Sequence, residues 1–136
     1  MCSAPLLDMV RYELFGLGRT WNDEYGTADD PVELGWLLGY SPYHGVRGPT
    51  AYPAVLFTTF ESDTRVHPLH ARKLAAALQH ATSSGAPVVL RREVSVGHGA
   101  RAVSRTVQLA ADQLAFLAAH TGLPPAPSGN DSPPQA

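Results

Sequence analysis

A repeated strand-to-helix pattern beginning at Tyr52 constrains this chain more than any other feature. Val55-Leu56-Phe57-Thr58-Thr59-Phe60 is a short, apolar, β-prone run, and its lack of polar alternation suits a strand covered on both faces. Pro68 then fits the first turn of a helix, with Leu74, Ala77, Leu78 and Ala81 recurring at helical spacing until Gly85 stops it. Pro87-Val88-Val89-Leu90 begins a second strand expected to run to Val96, followed by the turn Gly97-His98-Gly99. In the next helix Val103, Val107, Ala110, Leu114 and Leu117 step by four, three, four and three, so this stripe is expected to be buried. Two β-loop-α units in succession predict an α/β fold, with parallel strands joined by crossover helices.

Upstream, Asp30-Pro31-Val32-Glu33 reads as a capping box with proline at the first helical position. It opens a short helix expected to run through Leu38, which Ser41-Pro42 ends. Residues 6 to 28 read as mixed helix and loop. From Pro124 to Ala136 the chain is rich in Pro, Ser, Gly and Asn without large apolar residues, and such a segment is expected to be disordered because it buries too little surface to offset ordering.

Charge and cysteine content narrow the partners. Twelve acidic and ten basic residues give a net charge of −2 with no basic block, which favours neither nucleic acid nor an anionic membrane. The single cysteine, Cys2, excludes an internal disulfide and disfavours a zinc site. His67 and His70, three apart at a helix start, have no third ligand cluster nearby, so no metal is expected. No stretch approaches the roughly 20 apolar residues of a membrane span, and the first residues lack the pattern of a signal peptide. A cytoplasmic location is the expectation.

Ligands of open parallel sheets bind beyond the carboxyl ends of the strands. The two loops in that position are Glu61-Ser62-Asp63-Thr64-Arg65 and Gly97-His98-Gly99. An acid after one strand and a histidine after the next is the second half of the Ser, Asp, His order of α/β-hydrolases. Residue by residue, plainer roles stay open. Asp63 can be a turn former, His98 can occupy a tight turn, Trp21 and Tyr25 can be one packed helical face, and Arg65 can bridge to Glu61.

The wording of these loops is more specific. Asp63-Thr64-Arg65-Val66-His67-Pro68-Leu69-His70 resembles the Asp-x-Arg-Val-x-Pro-x-His stretch of the prolyl oligopeptidase family of serine peptidases, and Gly97-His98-Gly99-Ala100 resembles its histidine loop. Asp8-Met9, Trp21-x-x-x-Tyr25-Gly26, Trp36-Leu37-x-x-Tyr40-Ser41-Pro42 and Tyr52-Pro53 fall in the same order, so the resemblance covers about residues 3 to 123. It implies that residues 1–123 are the C-terminal part of an α/β-hydrolase catalytic domain, and 124–136 a tail. It further implies that Asp63 is the triad acid and His98 the general base. Trp21 would stack on the substrate's proline ring, Tyr25 and Val66 would line the same pocket, and Arg65 would donate hydrogen bonds to a carbonyl on the acyl side of the scissile bond. No cofactor is implied, and the partner is a peptide substrate.

The family's nucleophile lies in a Gly-x-Ser-x-Gly-like elbow upstream of the strand that Cys2-Ser3-Ala4-Pro5 finishes, and nothing in this chain matches it. The oxyanion donors and the N-terminal β-propeller of the family also fall outside these residues. Asp63 and His98 without the serine are expected to be inactive alone, with a separate chain or an upstream segment supplying the nucleophile. A sheet of so few strands is expected to leave an unpaired edge and an uncovered apolar face. Two other functions remain open: a catalytically dead hydrolase-like module that binds a peptide or protein through the Trp21 and Arg65 surface, and a related hydrolase of other acyl peptides or esters. After the histidine loop the chain reads Arg101-Ala102-Val103, where many relatives carry Lys-Pro; this departure bears on the strictness of proline preference.

Overall fold

The structure is a computed structural model that describes residues 1–94 and 102–123. Its centre is a three-stranded parallel sheet in the order β1 (Cys2–Ser3), β2 (Val55–Phe60), β3 (Val88–Glu93). β2 and β3 pair in register from Val55 opposite Val88 to Phe60 opposite Glu93, while Cys2 and Ser3 pair with Phe57 and Thr58. The chain therefore leaves β2 and β3 at the same end of the sheet. Between β1 and β2 lie two short 3-10 turns, Tyr12–Leu14 and Gly18–Trp21, a single helical turn α1 (Asn22–Tyr25), and helix α2 (Pro31–Tyr40). Helix α3 (Leu69–Ala81) crosses from β2 to β3, and helix α4 (Val103–Thr121) follows β3.

Side-chain alternation along β2 divides the packing between two faces. On one face Phe57 and Val88 meet Ala71, Leu74, Ala75 and Leu78 of α3, with Leu7 alongside. On the other, Phe60 packs on Leu109 of α4, and Gln113 donates to Thr58 Oγ1 at 3.4 Å. A third cluster, away from the sheet, gathers Met9, Tyr12 and Leu37 with Trp21 and Tyr25.

Local signals account for most element ends, with four corrections. Asp30 caps α2 as expected, accepting from the backbone of Val32 at 2.8 Å and Glu33 at 3.1 Å, but Glu33 does not return to Asp30. Its carboxylate accepts from Thr27 N–H at 2.7 Å, because Gly26, at φ 93°, turns the incoming chain onto it. α2 also runs to Tyr40 rather than Leu38, and stops where Ser41 turns extended before Pro42. Pro68 precedes α3 instead of lying inside it, and that helix ends at Ala81. There Thr82 is captured by a parallel bridge to Thr50 before Gly85 is reached.

The largest correction is at α4. Val103, Val107 and Leu114 of the expected buried stripe are 80%, 62% and 66% exposed, whereas Leu109 is 4% exposed. The helix turns the Leu109 and Gln113 side to the sheet, about 100° around its axis from Ala110 and Leu114. Alanine and leucine line both sides of this helix, so periodicity alone does not choose between them. β3 ends at Glu93, with Val94 in a turn; the rest of the expected strand lies outside the described residues, as does the tail from Pro124.

Candidate active site

Two loops at the carboxyl end of the sheet would carry the chemistry, and the first is described in full. Asp63 is buried, with 5% exposure. Its N–H donates to Phe60 O at 3.1 Å, and its Oδ1 accepts from the backbone N–H groups of Arg65 and Val66, each at 2.9 Å. The carboxylate thus builds a tight turn at the strand end, the plainer role open to it from sequence. That role uses Oδ1 and is compatible with an acid that orients a histidine. His98 and the rest of its glycine loop lie outside the described residues.

The turn throws Arg65 and Val66 outward. Arg65 does not bridge to Glu61, whose Oε1 is taken by Arg72 at 2.6 Å and Arg92 at 2.8 Å. Hydrogen bonds from those two arginines hold the Glu61 carboxyl below its ordinary range. Among the described residues no carboxylate pairs with the exposed Arg65 guanidinium. It lines an open cleft of about 470 Å³ together with Leu6, Trp21, Glu24, Tyr25 and Val66. The four residues expected in a substrate pocket, Trp21, Tyr25, Arg65 and Val66, therefore share one cleft. Its volume falls in the range of small-ligand sites.

The aromatic wall is built from below. Trp21 and Tyr25 do share a packed layer, over Met9, Tyr12 and Leu37, and each also keeps a surface in the cleft. Tyr12 lies edge-on to Tyr25, ring centres 5.7 Å apart, and donates toward Asn22 Oδ1 (2.9 Å) and Gly26 O (2.5 Å). Burial first, then the nearby Glu13, pushes the Tyr12 hydroxyl up to about 12. Glu13 gathers the loop around it, accepting from Asn22 Nδ2, the Thr27 hydroxyl and Ala28 N–H. Burial opposes its ionisation, but these hydrogen bonds outweigh burial and hold its carboxyl below the ordinary value.

The two walls also touch directly. Leu17 N–H donates to Arg65 O at 3.5 Å, and Phe15 lies on His67 with ring centres 5.1 Å apart. Gly16 between them sits at φ 57°, where a Cβ would meet Thr64 O at 2.8 Å and Arg65 O at 3.0 Å. Only glycine fits this approach. His67 and His70 serve the backbone: their Nδ1 atoms accept from Leu69 N–H and Asp8 N–H, each at 3.1 Å. Two cleft residues escaped the sequence reading, Leu6 and Glu24. Glu24 lies directly before Tyr25 in a motif already singled out, and that adjacency was the available signal; Leu6 offered none. A larger hollow, about 670 Å³, lies at the far end of α3 among Tyr43, Pro49, His80 and Thr82, away from the Asp63 loop.

Comparison with known proteins gives the family and the fold. Residues 1–124 match the model of the prolyl oligopeptidase family. The chain is 40% identical over 120 residues to a prolyl endopeptidase of Elizabethkingia miricola, covering 87% of this chain and 17% of that protein. It is 38% identical over 122 residues to the prolyl oligopeptidase ophP of Omphalotus olearius, covering 87% of this chain and 16% of the relative. Among solved structures, a chain from a study of two prolyl endopeptidases superposes with a TM-score of 0.87 at 46% identity, over 90% of this chain and 18% of that one. Prolyl oligopeptidase B from Galerina marginata, bound to a 35-residue substrate, gives 0.84 at 32% identity over 90% of this chain and 17% of that one. The strands and helices are thus those of an α/β-hydrolase peptidase domain, and the chain spans about a sixth of the length of these relatives.

Proposed function

Because the chain belongs to the prolyl oligopeptidase family of peptidases, we propose that it supplies the acid, the base and the proline-recognition cleft of a serine peptidase that cleaves short peptides after proline. The observation that carries the reading is the cleft: Trp21, Tyr25, Arg65 and Val66 converge on it from segments more than 35 residues apart, next to the buried Asp63. An indole face gives a pyrrolidine ring a broad, flat contact, and an unpaired guanidinium is a rigid multi-donor fork for a peptide carbonyl. Asp63 holds His98 in one tautomer. His98 takes the proton of a serine hydroxyl as that oxygen attacks the carbonyl, then returns it to the leaving amine.

That serine belongs to a segment outside these residues, because no Gly-x-Ser-x-Gly occurs between Met1 and Ala136. Removing a triad serine lowers kcat by about 10⁶-fold, so the chain alone is inactive in this reading. Its single cysteine agrees with work in the cytoplasm. The missing elbow is also the observation that favours the second reading, a catalytically dead module that binds a peptide through the same cleft.

The test is cleavage of a chromogenic proline-amide peptide by this chain and by a version extended upstream to include the nearest Gly-x-Ser-x-Gly. Activity in the extended form only, lost in Asp63→Ala and His98→Ala, is the expected result. Activity in the short chain would refute the missing-nucleophile argument. Silence in both, with retained peptide binding, would favour the binding module.

A further inference from the structure

Behind the cleft lies a buried polar knot that the proposed chemistry does not use. Asp8 is fully buried. Its N–H donates to His70 Nδ1, its Oδ2 pairs with the Lys73 ammonium, and its Oδ1 accepts from Arg11 N–H at 3.2 Å. Lys73 also sits 4.0 Å over the ring of Tyr43. Ser41 ties in the neighbouring turn: its hydroxyl accepts from Met9 N–H at 3.1 Å, donates to Leu7 O at 3.3 Å and meets His44 Nδ1 at 2.8 Å. Across these contacts, residues more than 60 positions apart are held together.

The placement of the knot gives it a function. The segment it grips carries Leu6 of the cleft on one side, and Met9 and Tyr12, the floor under Trp21 and Tyr25, on the other. The helix it grips, α3, begins at Leu69, three residues after Val66, with His70 in its first turn. The knot therefore joins the foundations of the two cleft walls. The Asp8 side chain of this ion pair is fully buried and that of Lys73 is 25% exposed; apolar residues of similar volume often stabilise a fold as well as such a pair, and in some proteins the pair serves instead to fix one relative geometry.

We propose that Asp8 and His70, with Lys73 as their charge partner, are positioning residues that set the separation between the Trp21 and Arg65 walls, and through it the affinity for proline peptides. The peptide half of this inference rests on the function proposed above; the positional half does not. His70 acts as a neutral acceptor, so an amide oxygen can replace it, and an apolar side chain cannot.

The test uses the full chain carrying Trp36→Phe, which leaves Trp21 as its one tryptophan. Acrylamide quenching reads the Trp21 environment without any ligand, and Trp21 emission during titration with an N-acylated Gly-Pro amide reads affinity. His70→Leu is expected to increase quenching and weaken peptide binding by about tenfold, the scale of one lost buried hydrogen bond. His70→Gln is expected to restore both. If His70→Leu lowers the melting temperature but leaves quenching unchanged, or if folded His70→Gln fails to rescue, the positioning role is refuted. Should circular dichroism show that His70→Leu does not fold, Lys73→Met is judged by the same two readouts. A parent chain that binds no peptide would count against the proposed function, while quenching still decides the positional claim.

Discussion

The two faces of the sheet are built from alternate residues of the same strand, yet they end in different states. Phe57 and Val88 look toward α3 and are enclosed by Leu7, Ala71, Leu74, Ala75 and Leu78. Phe60 looks toward α4 and packs with Leu109 and Ala4, while Val103, Val107 and Leu114 of that helix face outward. Strand propensity is equal on both sides. The α3 face is closed by a helix entering and leaving through neighbouring strands, and its closure also fixes the loop that carries Asp63. Among the described residues, the α4 face holds the buried pair Phe60 and Leu109 with Ala4 against it, and polar contacts such as Arg91 with Asp112 at 2.7 Å. Among the described residues, apolar burial is thus concentrated on the side that positions the candidate chemistry.

The comparison can be broken most directly at Phe57. Phe57→Ala is expected to cost about 3–5 kcal/mol, a large share of a domain's total stability, and to remove the cooperative thermal transition seen by circular dichroism. A preserved transition would mean that the α3 face is not the principal core. Next is acid. Burial above all pulls His70 from 6.5 down to about 4, with His67 and Lys73 adding to the effect and Asp8 opposing it. The unfolded chain then binds a proton that the folded chain does not, so stability present above about pH 6.5 is lost as pH falls toward 4. The loss is on the order of 3 kcal/mol, and in urea titrations across this window His70→Gln is expected to flatten the slope.

On the thinner face, Leu109→Ala is expected to cost about 2 kcal/mol, less than Phe57→Ala, read as a shift in urea midpoint. An equal or larger shift would overturn the asymmetry. Smallest of all, Val107→Gln and Leu114→Gln are expected to change stability by no more than about 0.5 kcal/mol, because both side chains already face water. A clear destabilisation would show that the outward stripe packs against something in solution, and sedimentation velocity would identify self-association as the cause.

Much of this arrangement was legible in the sequence because its signals are local or come as fixed wording. The apolar run of β2, the Asp30 cap and the Leu74 and Leu78 stripe each act within a few residues. The resemblance brought Trp21, Tyr25, Arg65 and Val66 together across a gap that no periodicity spans. What remained hidden depends on contacts distant in sequence or on a choice between equivalent surfaces. Asp8 meets His70 and Lys73 across more than 60 positions, so nothing near Asp8-Met9 announces a knot. Glu33 had two candidate backbone donors, and the turn at Gly26 decided for Thr27. α4 had two apolar sides, and Phe60 and Thr58 decided for Leu109 and Gln113.

The turn at Asp63 separates two properties that usually fail together. Its Oδ1 holds the N–H groups of Arg65 and Val66, and the amide oxygen of an asparagine can accept the same two bonds. These two bonds by themselves therefore do not require a negative charge. In the proposed peptidase, a chain carrying Asp63→Asn would keep these two bonds while losing the carboxylate assigned to steady an imidazolium. Under that proposal, loss of reaction need not disturb this turn, so an intact fold says nothing by itself about whether catalysis survives.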